Sequence, residues 1–300
     1  MTANPQAAAR RSLKERAAER LRLRIEVLGR LAYRRQEAGR YQESEILYRH
    51  ALKIGEGFLP ADDLAIAGLL NGLGILRKYQ GRYDDAEPVY RRALTILEAA
   101  LGTGHPDLAS LYHNLGGLEH ARGRAAAGEP WARRSVEVRE NALGPDHPSV
   151  AADKAALAAI LDAQGRFDEA EPLYAEALAV FERVYGPEHY EIAVNLNNLA
   201  AIRQAQGKPA AAEELYRRAL AIKEKVLGTD HPDTGLTLHN LATLLAWLGR
   251  RDEAEALYRQ ALGIFERTLG AAHPHTEICR EGLAALSEGV WTGSNLALPL

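Results

Sequence analysis

The same phrase returns every 42 residues along this 300-residue chain, and no other feature constrains its fold as tightly. In LGTGHPDL, LGPDHPSV, YGPEHYEI, LGTDHPDT and LGAAHPHT the histidines are His105, His147, His189, His231 and His273, with no insertion between them. A glycine column keeps the step at Gly39, Gly81, Gly123, Gly165, Gly207 and Gly249. So does a tyrosine column at Tyr48, Tyr90, Tyr174, Tyr216 and Tyr258, with Ala132 in its gap. Leucine repeats at Leu73, Leu115, Leu157, Leu199 and Leu241. Self-similarity on this scale marks a repeat array, in which a unit cannot bury its apolar face alone and must stack on its neighbours.

Within one unit the periodicity is helical. Ala170, Leu173, Tyr174, Ala177, Leu178 and Phe181 follow the i, i+3, i+4, i+7 spacing of a single helix face. Asp168 with Glu171 reads as a capping box opening this helix, and Gly186 as its stop. The segment before it runs from Pro148, at a first helical position, to Gly165. Each unit is therefore two antiparallel helices, A then B, joined by a tight turn such as GRFD. Small residues at Gly116, Ala158, Ala200 and Ala242, and at Ala86, Ala170, Ala212 and Ala254, allow close helix approach, and the tyrosine fills the matching hole. The fold class is all-α. Abundant Ala, Leu, Glu and Arg support it, because these side chains lose little freedom in a helix.

These residues carry a resemblance. Small residue, Tyr, Ala-Leu and Gly at these spacings resemble the tetratricopeptide repeat, whose common form is about 34 residues long. The longer unit, with LNNLA in helix A, AEPLY or AEELYRRAL in helix B and LGxDHP between units, is similar to the repeats of kinesin light chains. The match covers roughly residues 39–286. It implies a right-handed α-solenoid superhelix of stacked antiparallel helix pairs, with helix A lining a concave groove. No heavy-chain-binding coiled coil accompanies the repeats, so motor transport is not implied. The expected organisation is a disordered stretch at 1–9 and one solenoid at 10–286. The solenoid comprises a helix pair at 10–62, repeats at 63–104, 105–146, 147–188, 189–230 and 231–272, and a capping helix at 273–286. A tail follows at 287–300, in which Trp291 could fold back onto the last helix. The repeat at 105–146 reads as a looser seam, with Gly128 inside helix B and Trp131 beside the missing tyrosine.

A recurring histidine invites a chemical reading, and geometry opposes it. Zinc ligands lie about 2.0–2.1 Å from the metal. Equivalent points on stacked helix pairs are separated by about 16–20 Å, at about 8–10 Å per packed helix. No serine, cysteine or acidic partner recurs at a fixed offset to make a catalytic set. The phrase works as punctuation instead: Gly ends helix B, the residue before Pro leaves the α region, and Pro opens the next helix. Histidine is not a preferred cap, so its ring is expected to pack or hydrogen-bond in the loop. No GxGxxG, GxxxxGK[ST], GxSxG or HExxH occurs. His113 and His120 share a helix face but lie two turns, about 10 Å, apart. The reading is a non-enzymatic chain without cofactor or metal.

A net charge of -3 argues against nucleic-acid coating. One cysteine, Cys279, fits a reducing compartment and reads as a small core residue. Neither an apolar signal region nor a membrane-length apolar run is present, so a cytoplasmic location is expected. The start of the first helix is basic, through Arg10, Arg11, Lys14, Arg16, Arg20, Arg22 and Arg24. It reads as a solvated cap or as a contact for an acidic partner.

Function would then lie in the groove. The positions outside the leucine and alanine seams are Asn71 and Gly72, His113 and Asn114, Ala155 and Ala156, Asn197 and Asn198, and His239 and Asn240, with Lys78 and His120 at a mildly positive end. An asparagine amide offers donors and acceptors that can hold a peptide backbone. The resemblance implies this role for Asn114, Asn198 and Asn240; equally, these amides could satisfy neighbouring backbone. Gly72 and Ala156 should leave the groove roomier, and a bulky ligand side chain could sit over Ala155, Ala156 and Ala159. Trp247 reads as a buried inter-helix residue, with an aromatic anchor for a ligand as the alternative. The leading reading is a scaffold that binds a peptide or partner protein. The alternative is a self-assembling solenoid that forms homo-oligomers through its end faces or the Trp291 tail, and an enzyme on this scaffold ranks last.

Overall fold

The structure, a computed structural model, describes the backbone of residues 5–288 and the side chains of residues 16–287. Thirteen α-helices, one 3-10 turn and no strand occur among the described residues. Where the spacing suggests one continuous solenoid, the chain groups into two compact units, residues 1–118 and 119–300. The division falls inside α5 (Ala109–Ala121).

In the first unit α1 (Pro5–Glu37) and α2 (Tyr41–Phe58) form one hairpin, and α3 (Leu64–Tyr79) and α4 (Tyr83–Leu101) the next. The first helix begins inside the stretch expected to be disordered, because Pro5 presets a first-turn φ and the alanines after it favour helix. In the second unit the hairpins are α6 (Ala125–Leu143) behind the end of α5, α7 (Pro148–Asp162) with α8 (Phe167–Tyr185), α9 (Tyr190–Ala205) with α10 (Pro209–Leu227), and α11 (Pro232–Trp247) with α12 (Arg251–Thr268). The last helix, α13 (Pro274–Glu288), runs two residues beyond the expected cap. Trp291 and the rest of the expected tail lie outside the described residues.

Each hairpin turn is built the same way. Gly81 adopts φ +70, donates its N–H to the Lys78 carbonyl at 3.0 Å, and is followed by Arg82 N–H donating to the Arg77 carbonyl at 2.9 Å. That is the paired hydrogen-bond pattern of a left-handed helix stop, which a Cβ would strain. The same turns replace the expected capping box. The N-cap of α8 is Arg166, without a side-chain cap bond, and Asp168 lies inside the helix because the turn has already oriented the first amides.

The A helices start differently, and the histidines explain how. Nδ1 of His105, His147, His189, His231 and His273 accepts a hydrogen bond from the backbone N–H two residues on, at 3.1–3.3 Å. Each ring thus does what an Asp or Ser side chain does at an N-cap, satisfying one of the helix's orphan donors. Histidine is the cap of this repeat.

Between hairpins the columns interlock. Tyr90, Tyr174, Tyr216 and Tyr258 are fully buried, as are Ala86, Ala170, Ala212 and Ala254. Gly128 continues that alanine column inside an unbroken α6, where it is buried.

Candidate functional site

The candidate positions lie on the A helices, and the structure sorts them into different kinds. In the first unit Asn71 and Asn114 are half-buried, and Asn114 Nδ2 donates to Asn71 Oδ1 at 2.7 Å. His113 lies beside them, also half-buried. The amides form a ladder between successive A helices, satisfying each other as well as presenting an edge. Gly72 is not roomy: a Cβ there would stand 2.6 Å from the Tyr48 ring, so the tyrosine has taken the space. Lys78 is half-exposed on the same helix, and burial of its amine lowers its pKa.

In the second unit the face changes along the stack. On α7, Ala155 is buried while Ala156 and Ala159 stay half-exposed. On α9, Asn197 is buried and Asn198 half-exposed beside the phenol of Tyr174. On α11 every residue from Thr234 to Ala246 is buried, including His239 and Asn240. Asn240 Nδ2 reaches Asn197 Oδ1 at 3.5 Å, and the His239 ring meets Tyr258 edge-on with centroids 5.3 Å apart. These three side chains were expected to face a ligand. They fill the interior instead, because hydrogen bonding and ring packing between repeats take them up first. Burial foremost, with the nearby His275, depresses the His239 imidazole to about 3. Trp247 departs in the opposite sense: 47% exposed, it stands at the solvent end of α11 because the helix stops there.

Two charged features stand out. Asp162, at the end of α7, has its carboxyl raised to about 6 by burial. It lies near Tyr174 and Tyr216, whose phenols burial and this carboxylate both push up. Together with Gln204, Asp162 makes this end of the face anionic or polar; His120, half-buried, precedes it on α5. The second feature is a clamp. The arginine after three of the turn glycines reaches back to the preceding B helix: Arg82 to Glu45 at 2.8 Å, Arg166 to Glu129 at 2.7 Å, and Arg250 to Glu213 at 2.8 Å. Desolvation works to raise the Glu129 carboxyl, but hydrogen bonds from Gln164, Arg133 and Arg166 together hold it at about 2. The recurring Arg beside the recurring Gly was the available signal.

Chemically the face offers amides, small apolar side chains and one carboxylate. No cluster of three ligating side chains that could hold a metal occurs among the described residues. The Cys279 thiol is buried and pushed up to about 12 by that burial, the opposite of an activated nucleophile. No described helix is long and apolar enough to cross a membrane.

Comparison with known proteins agrees with the geometry. The tetratricopeptide repeat family model matches residues 23–99, 65–127, 107–182, 151–225, 191–265 and 233–288. No curated protein sequence matches. Among solved structures, BtubC (BKLC) from P. vanneervenii is similar at 25% identity and TM-score 0.52, over 87% of this chain and 94% of that one. A putative kinesin light chain with nearly identical repeats from Podosopora anserina is similar at 24% identity and TM-score 0.53, over 67% of this chain and 96% of that one. A point variant of that protein gives 24% and 0.54, over 67% and 95%.

Proposed function

Because the chain belongs to the tetratricopeptide repeat family, we propose that it is a non-enzymatic scaffold holding a peptide segment or partner protein against its A helices. The observation that carries this reading is the half-exposed face of the second unit, where Ala156, Ala159 and Asn198 lie among otherwise buried columns. Small side chains there leave room for a ligand side chain, and an amide can pair with a peptide backbone. Asp162 favours a cationic group at that end, so the ligand is not an acidic peptide of the kind a basic groove would select.

The test is capture of the native partner from cells of origin by the tagged chain and by an Ala156→Gln, Asn198→Ala variant. The variant fills the floor and removes the amide. Loss of the partner with unchanged helical circular dichroism is expected. Equal capture by both proteins sinks the assignment to this face.

A further inference from the structure

The first A helix carries the seam of an internal repeat, and no other described helix covers that seam. In α3 the four seam columns hold Ile66, Leu69, Leu73 and Leu76, all 4% exposed or less. At a distance of 42 residues the same columns of α1 hold Arg24, Val27, Leu31 and Arg34. Val27 is 50% exposed and Leu31 38% exposed, with Leu23 beside them at 57%.

What this face is shaped to meet can be read from later repeats. A Cβ on Gly55 of α2 would sit 3.3 Å from Ile66 of α3, so this column rests on the preceding B helix. In the column of Val27, Asp153 of α7 accepts a 2.6 Å bond from Arg139 of α6, again the preceding B helix. The seam of α1 therefore faces the place of a B helix. Two of its four positions have become arginine where every other repeat is apolar or hydroxylated. Arg16 and Arg20 extend the same stripe, and Arg16, Arg20, Arg24 and Arg34 have no ion-pair partner among the described residues. Over residues 16–37 the helix carries seven arginines against three glutamates.

We propose that this stripe is a docking surface for an acidic amphipathic helix of another protein, which takes the position that a preceding B helix holds in the later repeats. Val27 and Leu31 meet its apolar face, and the arginines above and below them meet its carboxylates. A second copy of the chain fits worse, because pairing α1 with itself would oppose two basic stripes. The surface is separate from the A-helix face of the second unit, so the two readings stand or fall independently.

The probe is a stapled helical peptide of residues 167–185, a B helix of this chain with five carboxylates and one arginine. The control is the same peptide with glutamine in place of its glutamates. The target is the full chain and its Val27→Glu, Leu31→Glu variant, which changes only exposed side chains. Binding of the acidic peptide should weaken at least about tenfold in the variant, in the control peptide, and between about 0.05 and 0.5 M salt. No binding, or binding that the variant leaves undiminished, overturns the proposal. A concentration-dependent dimer abolished by the variant identifies a second copy as the occupant and overturns it equally.

Discussion

His147 Nδ1 accepts the backbone N–H of Ser149 at 3.1 Å, and the same bond opens the A helix at each of the other histidine phrases. The histidine column is thus a cap rather than a ligand set. Replacing His147 with Ala should cost about 1 kcal/mol of stability, and replacing it with Asn or Asp should restore most of that. Chemical denaturation of the three variants decides it; equal losses for Ala and Asn would mean that the ring packs rather than caps.

Gly72 and Tyr48 are coupled. A Cβ at Gly72 would lie 2.6 Å from the ring, so Gly72→Ala should destabilise by about 1–3 kcal/mol. Tyr48→Ala costs its own packing, but the double variant should fall short of the sum, since the added methyl then has room. Additive losses in a thermal-melt cycle would show that the clash is relieved some other way.

The tyrosine column should divide by its hydroxyls. Tyr258 Oη and Thr243 Oγ1 lie 2.8 Å apart, whereas the buried Tyr216 hydroxyl has no hydrogen-bond partner among the described residues. Tyr258→Phe should therefore cost about 1 kcal/mol, and Tyr216→Phe should be neutral or stabilising. Unfolding midpoints of the two single variants provide the comparison, and the reverse order would contradict the hydrogen-bond assignment.

Stability should depend on pH in two opposed ways. His239 and His275 are depressed from 6.5 to about 3 and about 4, mainly by burial. As the pH falls below about 6.5 the unfolded chain takes up protons that the folded one refuses, so stability present above that pH is lost progressively. Asp162 is raised from 3.8 to about 6, so the folded state holds its proton more tightly and its contribution declines as pH rises through that window. Asp162→Asn should accordingly stabilise by up to about 2 kcal/mol near pH 7.5 and make little difference near pH 4. A variant that shifts the midpoint equally at both values would remove the carboxylate from this account.

Much of the fold is legible in the spacing of residues alone. The period, the hairpin, the turn glycines and the alanine and tyrosine columns all follow from it, because a repeat imposes the same packing on the same position. The site was harder. Asn198, His239 and Asn240 look alike in sequence, yet one is half-exposed and two are interior, since burial there depends on what lies across the seam. Gly72 reads as free space until Tyr48 is seen to fill it. The raised pKa of Asp162 gave no signal, because it comes from burial beside two later tyrosines. The cap role of histidine was hidden by its rarity at that position in other proteins.

Protection of an introduced thiol by the bound partner tests the central claim most directly. Cys279 is buried, which leaves the wild-type chain a quiet background for maleimide labelling. Ala159→Cys places a thiol on the proposed face of α7, and Ala175→Cys places one on the exposed side of α8. With the captured native partner bound, labelling at residue 159 should slow at least about tenfold while labelling at residue 175 is unchanged. Slowing at 175 with none at 159 would place the partner on the outer helices and contradict the account.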